Sequence, residues 1–346
     1  MIKQTLKISA LVFVLVPLVT WAALALCFDT GPAASVSLLP CLVYLGISIA
    51  ALLVIRPFRR ALGLALALFL LVLIWWLQLS PSNTRNWIPD VEKLASAEFQ
   101  GDLVTINNVR NFEYKSETEF TPRWEQRQID LSKVTGVDLF LSYWGSPWIA
   151  HTIASWEFED GTHLAISIET RKEQGEEYSA LRGFFRQYEL YYVVADERDV
   201  VRLRSNFRNE SVYLYRIQEE PQFARALLVD YLQEVNRLAQ RPRWYNAFSH
   251  NCTTTIRNHR INIGRAKPFN WRILVNGFLD RASYESGTID NSLPFEELKR
   301  RSLITERALA AQNDPEFSRR IREQRSSGAA GQGSSLAADD ASASAS

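Results

Sequence analysis

Apolar residues arrive along this chain in two regimes. Up to about Leu79 they come as long unbroken runs, and beyond Ser80 they come as short alternations and helical spacings. Three runs reach the ~20 residues that a bilayer crossing requires: about Leu6 to Cys27, about Val36 to Ile55, and about Ala61 to Leu79. A cleaved signal peptide is the other reading of the first run. It fits poorly, because the run exceeds an ordinary signal core and two more follow at once. Residues 1–80 therefore predict a membrane anchor of three transmembrane helices, and 81–100, opening with Ser80-Pro81-Ser82-Asn83, a polar connector.

Within 101–312 the pattern shortens. Leu103-Val104-Thr105-Ile106, Val137–Leu141, Leu190–Ala195 and Val212–Ile217 are strand-like. Thr152–Phe158 and His163–Ile168 flank Glu159-Asp160-Gly161-Thr162, a hairpin in which Asp-Gly would supply the positive φ angles of a type I′ turn. Pairing about that turn sets residues whose numbers sum to about 321 opposite each other, so His151 falls near Thr170 and His163 near Phe158. Pro221 to Gln240 has amphipathic helical spacing, with Pro221 at a natural helix start. Trp271–Tyr284 and Phe295–Ala311 are expected to be helical as well. From 313 to 346, and above all past Arg325, the chain reads as a disordered tail, Ser, Ala and Gly replacing bulky residues. The whole is one α+β domain behind an anchor.

Charge changes the picture in one respect. With 39 basic and 38 acidic residues the net charge is +1, so nothing draws the chain globally to nucleic acid. The distribution is what carries information. Lys3 and Lys7 precede the first run, and Arg56, Arg59 and Arg60 lie between the second and third, whereas the first connection, Phe28 to Ser35, holds Asp29 and no cation. The positive-inside rule puts the N-terminus in the cytoplasm and, after three crossings, the domain in the periplasm of a multi-pass inner-membrane protein. Trp75, Trp76 and Trp87 would sit in the outer interfacial belt.

Candidate chemistry centres on one thiol. Cys27 and Cys41 fall at or inside the membrane, as small apolar residues or as a disulfide pair near its outer face. Cys252 is the one cysteine of the domain, and in an oxidising compartment an unpaired thiol calls for either an inert core position or nucleophilic work. Asn251-Cys252-Thr253-Thr254-Thr255-Ile256 predicts a helix start with Asn251 as cap. There the free N–H groups and the dipole lower a thiol pKa, and the Cys252 N–H is an oxyanion donor. A thiolate also needs a histidine partner. His250 is two positions off and turned aside, and His259 lies two turns on, about 10 Å along the axis. That leaves His151 and His163, neighbours only through strand curvature or a third strand. No zinc spacing, HExxH, Walker or GxGxxG pattern occurs, so neither metal nor cofactor is expected.

Tyr245-Asn-Ala-Phe-Ser-His-Asn-Cys-Thr-Thr-Thr-Ile256 resembles the signature of the bacterial Lnb-type periplasmic domain family, named after an enterococcal lipoprotein acyl-transferring enzyme. The resemblance extends to Asn107–Trp124, Ala150-His151-Thr152, Ala165–Glu177 and Asn291–Arg301, most of residues 95–305. More distantly, Tyr245 seven residues before Cys252 is similar to the Tyr…Asn-Cys pattern of the lecithin:retinol acyltransferase group, whose catalytic histidine precedes the cysteine and has a second histidine twelve residues after it. His151 and His163 have that separation. The resemblance implies a circularly permuted papain-like domain with Cys252 as nucleophile, His151 as general base and His163 as orienting residue. Thr253-Thr254 stand where the retinol group has Glu-His, so that group's substrate contacts do not transfer.

The expected function is a membrane-anchored cysteine acyltransferase or hydrolase acting, through a thioester, on acylated lipoprotein or phospholipid, with no nucleic-acid partner. A peptidase or amidase of cell-wall peptide and a non-catalytic envelope interaction module are the alternatives.

Overall fold

The structure, a computed structural model, describes residues 2–30 and 37–323, with side chains from Phe13 onward. The apolar runs form helices α1 (Ile2–Asp29), α2 (Leu38–Val54) and α3 (Phe58–Gln78). At 1.5 Å per residue α3 is about 31 Å long. Among the described residues it is the one helix that meets the length and apolarity of a membrane span. Helix α2, with 17 residues, is nearer to 25 Å, and the described apolar stretch of α1, Phe13–Asp29, is equally short. Of the three expected spans, one meets the criterion and two are shorter apolar helices. Ala22, Ala25, Cys41, Tyr44 and Val72 form the seam of this bundle. Cys27 and Cys41 are buried, unpaired thiols, not a disulfide.

The rest of the chain folds around a mixed sheet. Its strands are β1 (Ser96–Gln100) and β2 (Leu103–Arg110), then, past a two-stranded ribbon of β3 (Glu113–Tyr114) and β4 (Phe120–Thr121), β5 (Trp124–Asp130), β6 (Val134–Tyr143), β7 (Ala150–Phe158), β8 (His163–Arg171), β9 (Glu189–Ala195) and β10 (Ser211–Arg216). The order across the sheet is β1-β2-β9-β8-β7-β6-β10, with β5 added to β2. Neighbours are antiparallel except β2 and β9, which meet in parallel at Arg110 and Ala195. The strand expectations hold, and the α+β class with them.

Helices cover both faces: α4 (Glu197–Arg202), α5 (Pro221–Gln240), α6 (Cys252–Asn262), α7 (Leu279–Glu285), α8 (Phe295–Ser302), α9 (Thr305–Ala310) and α10 (Phe317–Arg320). Helix α5 buries Leu227, Leu228, Tyr231, Val235 and Leu238, the i, i+4, i+8 stripe legible in sequence, against Leu139, Trp156 and Tyr192 of the sheet. Trp156, fully buried, gives its indole N–H to the Ala224 carbonyl at 2.8 Å, which ties α5 to β7. The other face packs Phe140, Ile153, Ala165 and Val193 under α4, α9 and α10.

Four expectations need correction. The polar connector is part of the fold: β1 lies within it, and Trp87 is buried in the core with the Arg171 guanidinium 4.2 Å above its ring, so it is no belt residue. Trp271–Tyr284 is two short 3₁₀ turns leading into α7. Phe295–Ala311 breaks into α8 and α9, because Leu303 pairs with Tyr213 in a β-bridge between them. The tail assigned from 313 is ordered to 323: Phe317 and Ile321 are buried, and Arg322 joins Asp138 at 2.6 Å and Glu197 at 2.7 Å. Residues 324–346 lie outside the described residues.

The β7–β8 turn also differs, and this difference matters most. Gly161 has φ of +79°, whereas neither Glu159 nor Asp160 has a positive φ. Type I′ geometry needs two such residues in sequence. Instead the Phe158 N–H donates to the Thr162 carbonyl at 3.0 Å and the Gly161 N–H to the Phe158 carbonyl at 2.9 Å, a three-residue loop closed by a left-handed glycine. An odd loop moves the register by one. Paired residues sum to 320, as Ile153–Ser167 and Glu157–His163 do.

Candidate active site

Helix α6 begins at Cys252 because Asn251 closes it on both sides. Its side-chain oxygen accepts from the Thr254 N–H at 2.9 Å, and the Thr254 hydroxyl accepts from the Asn251 N–H at 3.0 Å. The Asn251 amide also donates to the Ala247 carbonyl at 2.7 Å, so the preceding loop is held as well. Two turns on, His259 locks the helix in place. Its Nδ1 lies 2.6 Å from Asp230, its Nε2 lies 2.7 Å from the Tyr192 hydroxyl, and its ring stacks on Tyr231 at 3.8 Å. His259 is a satisfied core residue, and what it fixes is the angle at which α6 presents Cys252.

On β7, His151 is buried and hydrogen-bonds the Cys252 sulfur. Continued two residues past Ile153–Ser167, the register of 320 puts Glu169 opposite His151. The His151 Nε2 lies 3.1 Å from the Glu169 carboxylate and 2.7 Å from the Ser167 hydroxyl. Ser167 in turn donates to Glu169 at 2.7 Å. The carboxylate is anchored by Arg204 at 3.0 Å, and the same guanidinium holds Glu210 at 3.0 Å, where Ser142 donates its hydroxyl. Arg204 comes from Leu203–Phe207, a π-helical turn that continues α4. Such turns recur at functional sites because the extra residue re-aims side chains.

The electrostatics follow from this arrangement. A half-buried carboxylate, Glu169, and a buried one, Glu210, face one guanidinium, so a positive imidazolium is accommodated. Burial would raise Glu169, but the charges of His151 and Arg204 hold it well below the usual carboxylate range. Burial and the Arg204 charge push His151 down; the Glu169 charge and the hydrogen bonds of Cys252 and Glu169 outweigh them and raise it. Burial alone would push the Cys252 thiol up; the His151 hydrogen bond and charge, with hydrogen bonds from Thr152, bring it down to about 6. A thiolate–imidazolium pair is the result.

Asn276 completes the site from the 3₁₀ turn ahead of α7. Its carbonyl oxygen accepts from the Ala150 N–H at 2.9 Å, which orients the amide so that Nδ2 points at the Cys252 sulfur, 3.7 Å away. As the first residue of α6, Cys252 carries an N–H with no acceptor inside the helix. Thr253 and Ile256 of α6 line a mostly apolar cavity of about 420 Å³ together with Leu139, Leu227, Ile273 and Leu279; Arg257, Arg260 and Lys267 also border it, and Cys252 does not.

Of the expected site residues, Cys252 and His151 come together and His163 does not. His163 sits opposite Glu157, six residues or about 20 Å along the ladder from His151. Its ring is buried, 4.0 Å from Glu157, with no hydrogen bond to either nitrogen among the described residues. The group that stands behind the His151 ring is Glu169. Sequence reasoning missed Glu169, Arg204 and Asn276. The loop length before His163 was the one signal that could have found Glu169; nothing local marks the other two.

Residues 120–277 match the model of the Lnb N-terminal periplasmic domain, a narrower stretch than the resemblance in sequence, and it contains all five of these site residues. No curated protein and no solved structure matches the chain. The 120–277 segment is similar to the Lnb N-terminal periplasmic domain family, whose description carries an envelope-related role.

Proposed function

We propose that the protein is a cysteine acyltransferase or hydrolase that acts on acylated envelope substrates, lipoprotein or phospholipid, through a thioester on Cys252. The observation that carries it is the convergence of a helix-opening thiol, lowered to about 6, on a histidine held from behind by a half-buried carboxylate. The Cys252 thiolate attacks the ester carbonyl carbon, a C–S bond forms, and the carbonyl electrons move onto oxygen. The Cys252 N–H and the Asn276 amide are the donors within reach of that oxyanion. Collapse breaks the ester C–O bond, and the His151 imidazolium gives its proton to the departing alkoxide. An amine or a water then attacks the thioester, loses a proton to His151, and restores the thiolate–imidazolium pair. Glu169 keeps the imidazole aligned throughout and stabilises its charged form.

The mostly apolar cavity on the Thr253–Ile256 side of α6, one residue along the helix from Cys252, favours an acyl chain over a peptide, which would call for a polar cleft. A permuted papain-type arrangement is part of this reading, since His151 on a strand precedes Cys252 at a helix start. So is a multi-pass topology with the N-terminus in the cytoplasm, to be checked with a phosphatase reporter after Asn83.

Intact-mass measurement of the full chain with lipid and lipopeptide esters tests the chemistry. An acyl adduct on the wild type, absent in Cys252→Ala and His151→Ala, is expected. An adduct formed only from cell-wall peptide would replace the acyl reading with a peptidase. No adduct together with an ordinary thiol pKa would leave an interaction module.

A further inference from the structure

We propose that the mouth of the Cys252 site is seated in the interfacial layer of the bilayer, so that the acylated substrate reaches Cys252 from the lipid and not from water. The inference rests on the acyl reading of Cys252 for its substrate and on a continuous set of contacts for its geometry.

Those contacts start at the helical bundle. The segment between β8 and β9 is fastened to the ends of α1 and α3. Phe185 is buried among the bundle residues, its ring 5.3 Å from Phe28. Arg186 lies 4.2 Å over Trp76 and donates to the Leu77 carbonyl at 3.1 Å, and Gln187 donates to the Phe28 carbonyl at 2.7 Å. The same segment leaves Leu181 and Phe184 about half exposed. Its Gly183 carbonyl accepts from the Ala247 N–H at 2.7 Å, and a Cβ at Gly183 would stand 3.3 Å from that of Ala247, so the loop before α6 is pressed against it. That loop carries Phe248, 60% exposed, four residues ahead of Cys252.

The far side of the sulfur is built alike. Asn276, which touches Cys252, is followed by Gly277, whose N–H donates to the Trp148 carbonyl at 3.0 Å. Trp148 is 56% exposed, its ring 5.1 Å from Phe278, with exposed Trp271 beyond. Large apolar side chains from four separate segments therefore surround one thiol. Water gives no reason to hold them there, since contiguous apolar surface of this kind marks an interaction site. Tryptophan favours the headgroup boundary, and Arg182 and Arg186 on the segment that carries Leu181 and Phe184 suit lipid phosphates. A soluble protein partner would not need this rim to be continuous with the ends of the apolar helices; a bilayer does. The β7–β8 turn, Glu159 to Gly161, lies at the opposite end of the strand, about 25 Å away, and is polar.

The test uses the full chain, with Cys27→Ala, Cys41→Ala and Cys252→Ser, in nanodiscs of phosphatidylethanolamine and phosphatidylglycerol. Single cysteines at Leu181, Trp148 and Phe248, and at Asp160 as the distant control, are labelled with a fluorophore. Quenching by lipids bearing a nitroxide high on the acyl chain is then measured. The three rim positions should be quenched several-fold more than Asp160; equal quenching overturns the proposal. In a second arm Leu181→Ser/Phe248→Ser, with Cys252 intact, should turn over a bilayer-embedded ester tenfold or more slowly. Its iodoacetamide alkylation and its hydrolysis of a short, water-soluble ester should stay within twofold, and an equal loss on both esters also overturns it. Rim probes that are quenched while no ester is turned over by any variant would reject the acyl chemistry and keep the membrane seat.

Discussion

Glu169 faces His151 across the β7–β8 ladder, with its carboxylate oxygen 3.1 Å from Nε2. This contact depends on the turn nine residues away. Had the turn been the two-residue kind, Thr170 would have stood there, and the carboxylate would have pointed through the opposite face of the sheet.

Glu169→Gln keeps the shape of that contact and removes its charge. Turnover is expected to fall on the order of 10²-fold, the usual scale for disabling a general acid–base. The alkylation midpoint of Cys252 should move from about 6 toward the ~8.5 of a free thiol. His163→Ala, about 20 Å distant, should keep turnover within a few-fold. If His163→Ala proves the more damaging of the two, the assignment of the orienting residue is wrong.

The pH window has two edges of opposite sign. The Cys252 thiol is depressed to about 6, so its stabilisation is fully present above the unfolded value of ~8.5 and is lost as pH falls through about 6. His151 is raised, so its stabilisation is present below the unfolded value of ~6.5 and is lost as pH climbs through the folded one. Alkylation of Cys252 should switch on near pH 6. The melting temperature of the wild type minus that of Cys252→Ser should rise between about pH 6 and 8.5. A flat difference would mean that the thiol is not depressed.

The C-terminal contacts give a separate test of the fold. Phe317 is buried beneath the sheet, and Arg322 neutralises both Asp138 and Glu197. Phe317→Ala should cost about 3–5 kcal/mol. Arg322→Ala should also destabilise, because it strands the buried Glu197 carboxylate and leaves Asp138 with Arg216 as its remaining cation. Removal of residues 326–346, whose composition offers no core, should leave the melting temperature unchanged. Chemical denaturation of the three variants separates these outcomes, and an unaffected Phe317→Ala would remove α10 from the stable fold.

The chain itself determined what depends on neighbours in sequence. The stripe of α5 from Pro221, the strands β6 to β10, the cap that starts α6 at Cys252 and the apolar N-terminal runs are local patterns, each legible because side-chain period or capping chemistry is written within a few residues. His151 and Cys252 could be singled out in the same way, as a strand histidine and a helix-opening thiol. Three things needed the tertiary structure. Whether Glu169 or Thr170 stands opposite His151 depended on a one-residue register, set by the backbone angle of Asp160, which Asp-Gly alone leaves open. Glu169, Arg204 and Asn276 come from β8, a π turn and a 3₁₀ turn that are far apart in sequence, and a half-buried carboxylate paired with an arginine looks like any surface charge until its partners close around it. Trp87 and Phe317 were read as linker and tail because their neighbours are polar. Burial is decided by what comes to lie over a residue, and for these two that cover is Arg171 and the helical face of the sheet.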